Sequence, residues 1–253
     1  TKLDRAGPDT RGHPAPGARG DDRSASTRGG ARRAYYSHPC RFASSYRVRA
    51  GGATTLVLQT PPEEIKFVLR AAVEVQRHLD ESGERYCLIG GLALQRWGEP
   101  RVTRDVDLTL LCPFGDEAAA VDRLLAKFKP REGARSLALQ RRVLLLWSAG
   151  GIGVDIAFGA LPFEERCVEQ ASDWELSPGI VLHTCSAEDL VILKTFAGRP
   201  RDWIDVESVL VRQGRSLDWR LILGELKPLL ELRETPENLD KLQRLRTKIE
   251  KGA

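Results

Sequence analysis

The spacing of apolar residues changes twice along the chain, and each change predicts a different kind of structure. Apolar side chains recur every three to four positions over about 61–82, which predicts an amphipathic helix ending near Gly83. Short apolar runs at 86–89, 104–112, 141–148, 152–158 and 180–183 then predict strands. Helical periodicity returns from residue 186 to the end. The pattern predicts an α+β (mixed α/β) fold, with a small mixed sheet flanked by helices and followed by a helical C-terminal half.

Turn and capping residues set the limits of these elements. Gly150-Gly151 predicts a hairpin between strands 141–148 and 152–158. Short helices are expected at 91–98, 115–128 and 163–171. In the last part, capping residues and glycines divide the chain into helices at 186–198, 202–212, 216–230 and 235–249. Residues 53–59 form a candidate first strand, and Thr60–Glu63 reads as a capping box for the first helix.

A glycine pair follows the strand at 86–89. Gly90 and Gly91 allow the backbone to turn tightly and to approach a ligand closely. The helix that begins there directs its first amides toward a bound anion. The pair therefore predicts a cradle for phosphate.

Two carboxylates share one face of the next strand. Asp105 and Asp107 are separated by one apolar residue, so their side chains point the same way, roughly 6.5 Å apart along the strand. Mg²⁺ is usually held by one or two carboxylates together with substrate phosphates. Arg101 and Thr103 have the same parity and would lie beside the carboxylates if the strand began that early.

A third carboxylate stands out on a later strand. Apolar side chains at 152, 154, 156 and 158 occupy one face, whereas Asp155 lies between small residues on the other. A lone carboxylate with small neighbours leaves room for a ligand.

These motifs together resemble a known group of enzymes. An apolar residue, Gly90-Gly91, thirteen further residues and then Asp105-Val106-Asp107-Leu108 form the signature of the DNA polymerase beta-like nucleotidyltransferase superfamily. The block from Arg101 and Thr103 to Leu108 is more specifically similar to the AbiEii/AbiGii-type nucleotidyltransferases, many of which are toxins of bacterial toxin–antitoxin pairs. A second block fits the same family with a lysine, arginines and an Asp-x-x-Asp pair: Lys194, Arg199, Arg201, Asp202 and Asp205. The resemblance covers about residues 65–212.

The resemblance implies transfer of a nucleoside monophosphate from a nucleoside triphosphate (NTP) to an acceptor hydroxyl, on a tRNA 3′ end or a protein. It implies two Mg²⁺ (or Mn²⁺) ions held by Asp105, Asp107 and Asp155. It places the triphosphate against Gly90 and Gly91, with Lys194, Arg101 and Thr103 as further phosphate ligands. Arg199, Asp202 and Asp205 would support the site, and an antitoxin protein would be a partner.

Each motif also has an ordinary structural explanation. Glycine pairs are mostly turns, Asp-x-Asp is common on solvated strands, and a lysine such as Lys194 usually lies at the surface. Asp202 and Asp205 could equally form helix ion pairs with Arg199 and Arg201. Two other functions stay open, namely a small-molecule (aminoglycoside-like) nucleotidyltransferase and a nucleotide-binding module without catalysis.

Charge and composition separate the start of the 253-residue chain from the rest. Residues 1–50 carry eleven Lys/Arg against four Asp/Glu and almost no apolar periodicity, which predicts a disordered basic tail. We favour a tail without a role over a nucleic-acid-binding arm. Residues 51–185 then form the nucleotidyltransferase core, and 186–253 form the helical part. There is no long apolar stretch, no apolar signal core and no paired cysteine motif, so a cytoplasmic protein without a membrane segment is expected.

Overall fold

The computed structural model describes residues 63–252. The predictions for the basic tail, the strand at 53–59 and the cap at Thr60 lie outside the described residues. In chain order the elements are α1 (Glu63–Glu81), β1 (Tyr86–Leu88), α2 (Gly90–Trp97), β2 (Asp105–Leu111), α3 (Glu117–Leu125), β3 (Lys129–Pro130), α4 (Ala134–Arg141), β4 (Val143–Trp147), β5 (Gly153–Gly159), α5 (Pro162–Glu169), β6 (Ser172–Ser177), β7 (Ile180–Thr184), α6 (Ala187–Ala197), α7 (Pro200–Gln213), a 3-10 turn (Gly214–Ser216), α8 (Trp219–Arg233) and α9 (Glu237–Gly252).

The described strands form one mixed seven-stranded sheet in the order β3-β4-β5-β2-β1-β7-β6. β2 and β5 are parallel neighbours at its centre, and β1 and β7 are also parallel. The other adjacent pairs are antiparallel, including the β4–β5 hairpin predicted from the glycine turn. The sheet therefore brings β2 and β5 side by side, although they are far apart in the sequence.

Each face of the sheet packs against its own hydrophobic core. On one face, α1 contributes the stripe predicted from its sequence, and it packs with the inward residues of β2, β4 and β5. The other face packs with α2, α5 and the helices from α6 to α9. α2 and α5 thus share a core with the helical half, and the predicted boundary at residue 185 stays a prediction.

The helical half is delimited by capping contacts that its sequence specifies. The Ser186 hydroxyl accepts the backbone N–H of Asp189 at the start of α6, and Gly198 ends that helix with φ +65°. α7 follows at once with Pro200 in its first turn. The short turn between α6 and α7 lets residues of both helices face each other, which positions the cluster described below.

Much of the predicted organisation is confirmed, and several elements differ. The mixed α/β class, the α1 stripe, the strands and the four late helices are present. β2 begins at Asp105, so Arg101 and Thr103 precede the strand and do not extend it. α4, β3 and β6 were not predicted. Cys87 and Cys112 are buried free thiols, as expected. Among the described helices, none has the length and apolarity that crossing a membrane requires.

Candidate active site

Three carboxylates converge at the centre of the sheet, on the face opposite α1. Asp107 on β2 lies directly opposite Asp155 on β5, and Asp105 lies opposite Gly153. Ligand oxygens of the three aspartates all lie within 4.8 Å of one another. Side chains alternate between the two faces along each strand. The parallel register of β2 and β5 therefore places Asp105, Asp107 and Asp155 on the same face.

The glycine pair is packed directly against this cluster. The backbone N–H of Ile89 donates to the carbonyl of Asp107 at 2.9 Å, which holds the turn beside β2. Gly90 has φ +61°, and a Cβ atom there would lie 2.2 Å from Asp107 Oδ2. A Cβ atom on Gly91 would lie 2.3 Å from Thr103 Oγ1. Neither position has space for a side chain, so glycine is required for the carboxylate and the start of α2 to approach each other.

Thr103 and the Gly91 amide contact the carboxylates themselves. Thr103 Oγ1 lies 3.2 Å from Asp105 Oδ1, and the Gly91 N–H donates to Asp107. The predicted phosphate cradle thus also orients the predicted metal ligands. Whether these groups bind phosphate stays a prediction.

Burial and mutual repulsion perturb the carboxylates. Burial, reinforced by the charges of Asp105 and Asp155, raises the pKa of Asp107 to about 7. Burial also raises the pKa of Asp155, although the guanidinium of Arg131 opposes that shift. Carboxyl groups with raised pKa values cluster at functional sites, and a bound cation would favour their ionised forms.

A second group consists of five other predicted residues, which are joined through the buried carboxylates of Asp202 and Asp205. Arg101 donates Nε and Nη2 to the two oxygens of Asp205, both at 2.8 Å. Lys194 Nζ lies 2.8 Å from Asp205 and 3.1 Å from Asp202. The Arg199 N–H donates to Asp202 at 3.2 Å, so this aspartate also caps α7.

The ion pairs of this second group favour the charged forms of Lys194 and Asp205. Burial lowers the pKa of Lys194, but Asp205 and Asp202 outweigh it and raise that pKa above its ordinary value. Burial raises the pKa of Asp205, but Arg101 and Lys194 outweigh it and bring it below its ordinary value. Lys194 is therefore a charged ammonium with a side chain only 13% exposed. It lies close enough for its charge to lower the pKa of Asp107.

Sequence reasoning missed Arg131, which follows β3. Its Nη1 donates to Asp155 Oδ1 at 2.7 Å, and its guanidinium lies over the Trp147 ring at 5.3 Å from the centroid. Gly153 is one of the small residues beside Asp155, and the space that it leaves borders Arg131. A Cβ atom on Gly153 would lie 3.4 Å from Arg131 Nη1. No spacing rule connects Arg131 to Asp155, because the contact depends on the order of strands.

Comparison with known protein families identifies the family of this chain. The model of the family described as nucleotidyl transferase AbiEii toxin, type IV toxin–antitoxin system, matches residues 76–250. The chain belongs to this family. The match includes every predicted site residue from Gly90 to Asp205, and it confirms the resemblance found in the sequence. The AbiEii family also gives the chain its broad class, a nucleotidyltransferase.

Other comparisons are more distant. A nucleotidyltransferase-like antigenic protein from Paracoccidioides brasiliensis is 18% identical, covering 71% of this chain and 93% of its own, with a TM-score of 0.39. JHP933 from Helicobacter pylori is 15% identical, covering 75% and 93%, with a TM-score of 0.37. ANT(2")-Ia, solved with adenylyl-2"-tobramycin, is 16% identical, covering 72% and 97%, with a TM-score of 0.35. A search of curated proteins finds no match to the chain. At these TM-scores the structural likenesses carry no argument about activity.

The raised pKa of Asp107 would make the binding of a divalent cation by this carboxylate dependent on pH. Near pH 6 this carboxyl is mostly protonated in the metal-free protein, and a divalent cation must expel that proton. We expect the affinity for Mn²⁺ to fall up to about tenfold per pH unit below pH 7 and to level off above it. Calorimetric titrations between pH 5.5 and 8.5 would measure this. An affinity independent of pH across that range would contradict the assignment of Asp107 as a ligand.

Proposed function

We propose that this AbiEii-family protein transfers a nucleoside monophosphate from an NTP to a hydroxyl of a tRNA 3′ end or a protein, using two Mg²⁺ ions. The observation that carries the proposal is the convergence of Asp105, Asp107 and Asp155 beside the glycine turn. We further propose that the protein is a toxin, that an antitoxin protein is its partner, and that it acts in the cytoplasm.

The donor atoms fit the metal. Asp105, Asp107 and Asp155 supply only carboxylate oxygens, the ligands that hard ions such as Mg²⁺ and Mn²⁺ prefer. When bound, a pair of such ions stabilises charge on both the attacking and the leaving oxygen of an in-line displacement. Asp105 and Asp107 would hold both ions, and Asp155 would complete the site nearer the acceptor.

The other residues supply binding and orientation. The amides at the start of α2, from Gly90 and Gly91, would receive the triphosphate, as helix N-termini receive anions generally. Lys194 and Arg101 would neutralise its β- and γ-phosphates, with Thr103 as a further hydrogen-bond partner. Such cations act in phosphoryl transfer by positioning and by offsetting charge.

The proposed reaction forms one bond to the α-phosphorus and breaks another. The acceptor oxygen forms a bond to the α-phosphorus while the bond from that phosphorus to the pyrophosphate oxygen breaks. The hydroxyl proton passes to solvent water, and we assign Asp155 to favouring that loss. Pyrophosphate leaves with its charge neutralised near Lys194.

A labelled transfer assay tests the proposal and identifies the acceptor. The full chain would be incubated with Mg²⁺ and each of the four α-labelled NTPs, together with total tRNA, cell protein or an aminoglycoside, in parallel with Asp105→Ala. Label in tRNA or on protein, lost in Asp105→Ala, is the expected result. Label on the aminoglycoside would replace the acceptor that we propose. Nucleotide binding without any transfer would favour a non-catalytic module.

The Asp205 cluster gives a second prediction. Replacing Asp205 with Asn removes the charge that holds both Lys194 and Arg101. The buried ammonium of Lys194 then keeps only Asp202 of its two carboxylate partners, beside the half-buried guanidinium of Arg101. We expect NTP binding to weaken by about tenfold and the fold to lose about 1–3 kcal/mol. Fluorescent NTP titration and urea denaturation would measure the two effects.

Glu250→Gln is the matched control for that variant. It removes an exposed carboxylate that pairs with Arg246 on α9, far along the chain from the glycine turn. We expect a change within about 0.5 kcal/mol and unaltered nucleotide affinity. Unchanged NTP affinity in a folded Asp205→Asn variant would show that the ion pairs do not position phosphate ligands.

A further inference from the structure

Arg131 forms an ion pair with Asp155, the third carboxylate of the candidate metal site. Its Nη1 lies 2.7 Å from Asp155 Oδ1, within a contact that is 33% exposed on the arginine side and 22% on the aspartate side. The other two carboxylates of the cluster, Asp105 and Asp107, have different contacts. Within residues 63–252, Asp105 accepts from the Thr103 hydroxyl and Asp107 from the Gly91 amide, and neither pairs with a guanidinium.

Three features hold the Arg131 guanidinium at this position. The backbone N–H of Arg131 donates to the Leu145 carbonyl at 2.9 Å, and Leu145 lies directly opposite Asp155 on the neighbouring strand. The guanidinium lies over the ring of Trp147, a residue that is 42% exposed. Gly153, opposite Trp147, leaves the space through which Nη1 reaches the carboxylate. The contact is thus fixed by the register of the β4–β5 hairpin and is not a chance encounter of surface charges.

The same carboxyl group is a member of the cluster whose oxygens lie within 4.8 Å of one another. A guanidinium and a divalent cation that share one carboxylate repel each other, because both charges lie within a few ångströms in a partly buried site. We propose that Arg131 is a positioning residue that competes with the metal for Asp155 and thereby lowers the affinity of the free protein for its second ion. This inference rests on the proposed function of the three carboxylates.

An order of filling follows from this competition. A first ion binds between Asp105 and Asp107, where no guanidinium has to be displaced. A second ion that uses Asp155 must displace Arg131 or tolerate its charge, so it binds more weakly until substrate phosphates contribute their own charge. Two separable binding phases are therefore expected in the absence of nucleotide.

Titration of Mn²⁺ into the nucleotide-free full chain, followed by electron paramagnetic resonance, tests the proposal. Arg131→Gln removes the competing charge, and we expect the weaker phase to tighten about three- to tenfold. Arg131→Lys keeps the charge and should stay within about twofold of the wild type. If Arg131 only oriented the carboxylate of Asp155, Arg131→Gln would bind Mn²⁺ as tightly as the wild type or more weakly. That result would overturn the proposal.

Arg246→Gln is the matched control, because Arg246 also lies over a tryptophan, Trp219, and pairs with a carboxylate. It should leave both phases unchanged. Arg131→Met, which keeps an aliphatic contact with Trp147, repeats the test should the Gln variant fold poorly. In an Asp155→Asn background, the gain from Arg131→Gln should vanish, since the shared carboxylate is gone.

The labelled transfer assay separates this inference from the proposed function. Transfer by the wild type without tighter Mn²⁺ binding in Arg131→Gln or Arg131→Met would refute the competition alone. Tighter binding in these two neutral variants without transfer to any acceptor would refute the function and leave the competition standing. A wild type that binds no Mn²⁺ would refute both.

Discussion

Asp107→Asn is expected to abolish transfer and, at the same time, to stabilise the metal-free protein. Transfer should fall by about a thousandfold or more, because an amide is a poor ligand for a hard cation that offsets several kcal/mol of developing charge. The stability effect has the opposite sign because Asp107 is the carboxyl for which ionisation in the fold is most unfavourable, with its pKa raised to about 7. The Asn oxygen can still accept the Gly91 N–H, so the local hydrogen bond is retained.

The pH window of that stabilisation follows from linkage. In the unfolded chain Asp107 ionises near its ordinary pKa of 3.8, whereas in the fold it keeps its proton until about pH 7. Between these values the folded state binds more protons, so the free energy of unfolding falls as pH rises. Asn removes this cost, so we expect a gain of about 1–3 kcal/mol at pH 8 and none at pH 4. Urea denaturation in EDTA at both values would measure it.

Asp122→Asn provides the control for Asp107→Asn. Asp122 is an exposed carboxylate on α3, and its contact with Arg135 holds the pKa of that carboxyl below its ordinary value. Its replacement should leave transfer unchanged and should not stabilise the protein at pH 8. If Asp107→Asn kept full transfer, or if it lost stability at pH 8 as well as at pH 4, the assignment of Asp107 as a strained metal ligand would be wrong.

Gly90→Ala is expected to damage both transfer and stability. The new methyl group would lie 2.2 Å from Asp107 Oδ2 at a residue with φ +61°. Either the carboxylate or the start of α2 must move, and displacement of a ligand by about 1 Å can cost two orders of magnitude in rate. We expect at least about a hundredfold loss of transfer and about 2–4 kcal/mol of stability.

Gly83→Ala isolates the backbone contribution to that loss. Gly83 has nearly the same conformation, with φ +66°, but a Cβ atom there would meet no other atom within 4 Å. It should therefore lose only about 1–2 kcal/mol from left-handed strain and keep full activity. Kinetics and urea denaturation of both variants would compare them. Equal effects of the two substitutions would mean that contact with Asp107 is unimportant.

The features that the sequence predicts well are those encoded locally. The stripe of α1 and the alternation of β2 and β5 arise because each element must bury one face, so periodicity alone indicates them. Parity placed Asp105 and Asp107 on one face. Asp155 stands out by its small neighbours, and the family resemblance makes it the third metal ligand. The parallel register of β2 with β5 explains why it lies opposite Asp107.

Elements without a buried face were missed. The buried residues of α4 are only Ala134 and Ala138, which leaves no apolar stripe to detect. β6 is an edge strand with mostly polar residues, in which only Trp174 and Leu176 pack against the core, and pairing with β7 defines it more than its own pattern does. β3 consists of two exposed residues held by β4. β3 and β6 are thus defined by pairing with a neighbouring strand and not by a periodicity of their own.

Contacts between distant charges were equally hidden. Lys194 and Arg101 were predicted separately as phosphate ligands, and nothing in their spacing indicates that both bind Asp205. The contact between Arg131 and Asp155 depends on β4 lying between β3 and β5 in the sheet. Residue type and parity indicate which groups can act, but the order of strands decides which of them meet.

The most direct measurement is anomalous diffraction from crystals of the full chain with Mn²⁺ and an NTP analogue that cannot be cleaved between the α- and β-phosphates. We predict two manganese peaks among Asp105, Asp107 and Asp155. The triphosphate should lie between the Gly90-Gly91 turn and Lys194. Manganese or nucleotide bound elsewhere, with these carboxylates free of metal, would contradict the central claim that this cluster is the site of nucleotidyl transfer.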